Sequence, residues 1–187
     1  MSVALRTGGA GGGGAIGRVL ALLACLSPAT ARADAALTVT ADQPLRFGSL
    51  VVPASGSRTI DPGGAVTGSG LVALAGDAVG PAQFTVTYDR GADSTRPITI
   101  VVQVLLAGGA TQVQGGVTGV LSNFRTDLPG TPTLLPGQPM MLVIANCTER
   151  RCSRSFRVGA RVDITRSSGG ARLTLPVPVS ATLLAAQ

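Results

Sequence analysis

Apolar and polar residues alternate along most of the chain. Leu37, Val39 and Ala41 share one parity with threonines between them, and Phe84, Val86 and Tyr88 repeat the arrangement. Ile98, Ile100, Val102 and Val104 follow, with Val101 the one apolar residue on the opposite parity. Val158, Ala160, Val162 and Ile164 leave Arg161 and Asp163 on the wet side. The longest run joins Leu173, Leu175, Val177, Val179, Ala181 and Leu183. A period of two marks strands with one buried and one solvated face. Turn signals separate the runs, among them Asp61-Pro62-Gly63-Gly64, Gly115-Gly116, Pro129-Gly130, Pro136-Gly137 and Ser168-Gly169-Gly170. Many short strands so punctuated predict an all-β fold, a single antiparallel β-sandwich of immunoglobulin or pilin type over residues 34–187. Phe47, Phe84, Tyr88, Phe124 and Phe156 are its expected packing anchors. Pro176 and Pro178 share parity, so one side of the last run cannot sustain a hydrogen-bond ladder. That run is expected to be a sheet edge or locally polyproline-like.

Residues 1–33 read as a cleaved signal peptide. Arg6 and Arg18 supply a positive start, Val19–Leu26 a short apolar core and Ala31-Arg32-Ala33 a small-x-small cleavage pattern. The apolar core is far short of the roughly 20 residues that span a bilayer, and no later stretch qualifies, so no transmembrane span is expected. Leu22-Leu23-Ala24-Cys25 is also a loose match to a lipobox, which would leave Cys25 lipidated, although leucine fits its penultimate position poorly. The expected location is extracytoplasmic: periplasm, cell surface or medium.

All fifteen basic residues are arginine, against nine acids, for a net charge of +6. Without the leader's Arg6, Arg18 and Arg32 the balance falls to +3, ordinary for a soluble domain and no sign of nucleic acid. The chain has no histidine, which removes Ser-His-Asp and Cys-His catalysis and the commonest zinc ligand. Cys147 and Cys152 are the two cysteines beyond the leader. In an oxidising compartment they are expected to form a disulfide that stiffens a local tip. Four soft ligands for a metal are not available.

Leu45, Phe47 and Gly48, then Asp61, Pro62, Gly63 and Gly64, then Gly80-Pro81 followed by Phe84 and Val86 form an ordered series. In it the chain resembles a bacterial domain-of-unknown-function family of short exported all-β proteins, related in appearance to pilus subunits and adhesins. The resemblance covers roughly residues 36–184. It implies an extracytoplasmic β-sandwich with a surface or fimbria-like role and carries no catalytic residues. Leu45 and Phe47 are expected to fill the core, and the glycines to supply backbone freedom at turns.

Arg150, Arg151, Arg154, Arg157 and Arg161 lie close together in sequence. They are candidates for binding phosphate, sulfate or carboxylate groups, with a solvated strand face as the plain alternative. Asp89 and Asp93 make too thin a set for calcium. No nucleophile and base can be assembled, and neither an enzyme, a metal nor a cofactor is expected. The expected function is an exported structural or adhesive surface module, pilus-subunit-like, with envelope or pilus proteins as partners and self-association within its reach. The alternative is a module that binds anionic surface glycans or lipid head groups through residues 150–166.

Overall fold

The computed structural model describes residues 35–91 and 95–187. The expected signal peptide and cleavage site, Cys25 and Asp93 lie outside the described residues. In chain order the strands are β1 (Ala36–Gln43), β2 (Leu50–Val51), β3 (Ser55–Ile60), β4 (Val66–Ser69), β5 (Val72–Ala73), β6 (Ala82–Asp89) and β7 (Ile98–Leu106). They continue with β8 (Thr111–Gln114), β9 (Val117–Thr126), β10 (Thr133–Leu134), β11 (Pro139–Cys147), β12 (Arg151–Arg166) and β13 (Val179–Ala186). The fold is all-β, and its sheets are antiparallel and packed as a sandwich.

β12 organises the larger sheet. Its 16 residues are long enough to take two neighbours end to end on one side. Arg151–Val158 pairs with β6, and Ala160–Thr165 pairs with β3. β9 occupies the other side from Val158 onward. β1 lies outside β6, β4 outside β3, and β8 and β10 outside β9. The second layer is the three-stranded sheet β11-β7-β13, and β2 and β5 form a separate short ribbon.

The alternation read from the sequence decides what faces inward. Phe84, Val86 and Tyr88 of β6, with Phe156, Val158 and Val162 of β12, are buried against Ile100, Val102 and Val104 of β7 and Leu142 of β11. Phe84 and Phe156 are cross-strand partners whose rings stack with centroids 5.6 Å apart. Such a pair adds about 1 kcal/mol beyond the area it buries. Leu37–Ala41 is consumed inside the fold, as β1 on β6.

The run from Leu173 becomes a paired strand only at Val179. Leu173, Leu175 and Val177 still pack on the core, but the backbone around Pro176 and Pro178 makes no ladder. Two missing N–H groups on one side account for this. The segment passes over Gly119 of β9, where a Cβ would stand 2.7 Å from Leu173 Cδ1, and then β13 joins β7 at the sheet edge.

The outer faces of the two layers differ. Strands β7, β11 and β13 hold no charged residue. Their outward rows are Val143–Val101–Ala185, Met141–Gln103–Thr182 and Pro139–Leu105–Ser180. Met141 is 49% and Val143 39% exposed. The outer face of the larger sheet carries threonine, serine, arginine and aspartate instead, including Thr87, Ser153, Arg161 and Asp163.

Candidate functional site

Cys147 and Cys152 are joined by a disulfide, with their Cα atoms 5.9 Å apart. Cys147 ends β11 in the smaller sheet and Cys152 opens β12 in the larger one. The bridge therefore does more than stiffen a tip, because it staples the two layers at one end. A bulge between Ile144 and Cys147, with Asn146 left-handed at φ 56°, turns the Cys147 side chain into the core.

The five arginines near that bridge do not converge on one site. Arg150 and Arg151 both reach Asp89, at 3.3 and 2.7 Å. The Arg151 guanidinium, then the Gly91 N–H and the Arg150 guanidinium, lower the Asp89 carboxyl from its ordinary 3.8 to about 2. Arg154 lies on the parity of Phe156 and donates from Nη1 to the Val143 carbonyl at 2.5 Å, tying β12 to the open edge of β11. Arg161 is bound to Asp163 at 2.7 Å on the outer face. Arg157 also faces outward, and among the described residues its guanidinium has no partner. Arg151 and Arg161 are ten residues apart, roughly 33 Å along an extended strand. No small anion can span that distance, so closeness in sequence does not become one site.

The polar groove lies elsewhere. Outward residues of neighbouring strands line up as Thr67 of β4, Thr59 of β3 and Arg161 of β12. Beside them on β9 the pairing slips between Gly159 and Arg161, and Asn123 adopts the left-handed φ of 48°. That bulge sends Phe124 into the core and leaves Asn123 and Arg125 exposed next to Arg161. Asp61 closes the end of the groove, with Arg125 Nη1 3.6 Å from its Oδ1. With Phe124 and with Thr133 of β10, these six residues line an open-sided groove of about 400 Å³.

Asp61 is placed by its turn. Asp61 N–H donates to the Ala65 carbonyl and Gly64 N–H to the Asp61 carbonyl, with Pro62 preset for the second turn position and Gly64 at φ 90°. Gly64, not Gly63, uses the left-handed backbone there. Gly48 also uses it, at φ 73°, and Leu45 and Phe47 pack half-buried against the core. Polar outward residues such as Thr59, Thr67 and Arg125 look like any solvated face in the sequence. The available signal was Leu121 and Phe124, two core residues three apart in a period-two strand with an asparagine between them.

Among the described residues no helix is long and apolar enough to cross a membrane. A family model described as Domain of unknown function (DUF4402) matches residues 37–180. No curated protein and no solved structure matches the chain.

Proposed function

We propose a contact function for this chain, which belongs to the DUF4402 family: an exported structural or adhesive surface module, pilus-subunit-like, that works by holding other molecules rather than by transforming them. The observation that carries the reading is the charge-free outer face of β7, β11 and β13. Apolar surface of this kind is a docking feature, since water is displaced from the exposed Met141 and Val143 and the half-buried Val101 and Leu105 at no cost in desolvated charge. The occupant is a second copy, because an uncharged face meets its own image without like-charge repulsion. Three strands of eight or nine residues present roughly 380 Å² of flat face, about half of the 800 Å² per partner of a standard stable interface. A single contact is therefore weak, and it persists where many copies are held together on one surface.

The test is Met141→Lys with Val143→Lys. Both side chains are exposed, so folding stability should stay within about 0.5 kcal/mol of the parent. Sedimentation velocity over a concentration series should show association in the parent and a monomer in the variant. Identical sedimentation of the two proteins at every concentration defeats the proposal.

A further inference from the structure

The groove between β3, β4, β9 and β12 is on the outer face of the larger sheet, away from the uncharged face of β7, β11 and β13. Its lining combines hydroxyls from Thr59 and Thr67, the Asn123 amide, the Asp61 carboxylate and the guanidinium groups of Arg125 and Arg161. Each guanidinium already has a carboxylate at contact distance: Asp61 beside Arg125 at 3.6 Å and Asp163 beside Arg161 at 2.7 Å. The groove is thus rich in donors and acceptors but balanced in charge. A multiply charged anion gains little there, because it must compete with carboxylates already in place. A neutral polyol can instead exchange hydrogen bonds with every group, accepting from guanidinium and amide N–H and donating to the carboxylate.

Aromatic ligands fit less well. The groove's one aromatic residue, Phe124, is 2% exposed, so no ring is offered for stacking. The volume of about 400 Å³ falls toward the lower end of the roughly 300–1,000 Å³ range of ligand pockets and has room for a mono- or disaccharide. The backbone around the groove is specialised as well. Asn123 is left-handed inside a strand, and at Gly159 a Cβ would stand 2.1 Å from the Ile60 carbonyl oxygen, so β12 and the Asp61 turn approach as closely as backbones can.

We infer that this groove is a binding site for a neutral saccharide, held through vicinal hydroxyls by Asp61, Asn123 and the threonines, with Arg125 and Arg161 donating from the rim. The inference gives the adhesive side of the proposed function a ligand class and rests on that reading only for its setting at the cell surface.

Saturation-transfer NMR on the purified protein tests it, with lactose, maltotriose and the methyl glycosides of glucose, galactose and mannose as probes. Asn123→Gly keeps the left-handed backbone and removes the amide. Asp61→Asn keeps the turn's backbone bonds and removes the charge. Thr67→Val removes one exposed hydroxyl. Transfer to at least one probe is expected in the parent, weakened about tenfold by the Asp61 and Asn123 variants, since the first loses the charge that strengthens its hydrogen bond and the second loses the amide's hydrogen bonds altogether. Arg150→Ala should change nothing. Transfer should also persist in high salt and in the Met141→Lys, Val143→Lys variant, which separates failure of sugar binding from failure of self-association. Three results overturn the inference: no transfer to any probe, equal transfer in parent and groove variants, or binding confined to acidic oligosaccharides and abolished by salt.

Discussion

Replacing Gly159 with alanine is expected to cost more than almost any other single-methyl change in this chain. Gly159 is buried in β12 at the point where the strand leaves β6 and takes up β3. A Cβ there would stand 2.1 Å from the Ile60 carbonyl oxygen and 2.8 Å from both the Asp61 carbonyl carbon and the Pro62 nitrogen. All three are backbone atoms, and the Asp61 turn is fixed by two hydrogen bonds of 2.9 and 2.8 Å, so no side chain can swing aside. Overpacking of a tight site costs about 1–3 kcal/mol, and immovable neighbours put this case at about 3. Alanine returns up to about 1 kcal/mol by restricting the unfolded chain, which leaves a net loss of about 2 kcal/mol or more. For a domain of this size that lowers the melting temperature by roughly 4–8 °C. Urea unfolding followed by circular dichroism reads the loss as a lower midpoint at unchanged slope. Gly170→Ala is the control, because nothing lies within 4 Å of its Cβ position. Equal midpoints for the two variants would refute the close approach of β12 and the Asp61 turn.

Replacing Cys147 and Cys152 together by serine should cost about 2 kcal/mol, the chain-entropy value for a six-residue loop, and the parent in strong reductant should show the same loss by urea unfolding. Persistence of parental stability in the double variant would contradict a staple between the layers. Asp89 supplies a pH dependence. Its carboxyl is held at about 2 against an ordinary 3.8, so its stabilising contribution is complete above about 4 and disappears as pH falls toward 2. Asp89→Asn should therefore be less stable than the parent at neutral pH and should flatten the stability profile between those limits. Added salt should shrink the difference, because both arginine partners are exposed. Parallel profiles for the two proteins would dismiss the Arg150–Asp89–Arg151 pairing.

The parts of the fold legible in the sequence were those governed by side-chain periodicity. Phe84–Tyr88, Ile98–Val104 and Val158–Ile164 announce which face they bury, and the structure buries those faces. Pro176 and Pro178 likewise foretold the missing ladder before Val179. Partner choice was not legible, because a period of two says nothing about which strand lies alongside. That β12 takes β6 and then β3 on one edge depends on its length and on the backbone approach that Gly159 permits. The arginines illustrate the same limit. Neighbours in an extended strand point to opposite faces and recede at about 3.3 Å per residue, so Arg154 ties down β11 while Arg151 and Arg161 serve different ends of the sheet. The groove was hidden for a further reason: a bulge at Asn123 brings Arg125 and Arg161 together from segments far apart in the chain.

Whether this chain works as a contact module outside the cytoplasm is read from the mass of the polypeptide recovered from cells after fractionation and immediate thiol blocking. An exported module predicts an extracytoplasmic chain beginning at Asp34, with Cys147 and Cys152 joined and unreactive. A full-length chain in the cytosol carrying the blocking reagent on both cysteines would contradict it.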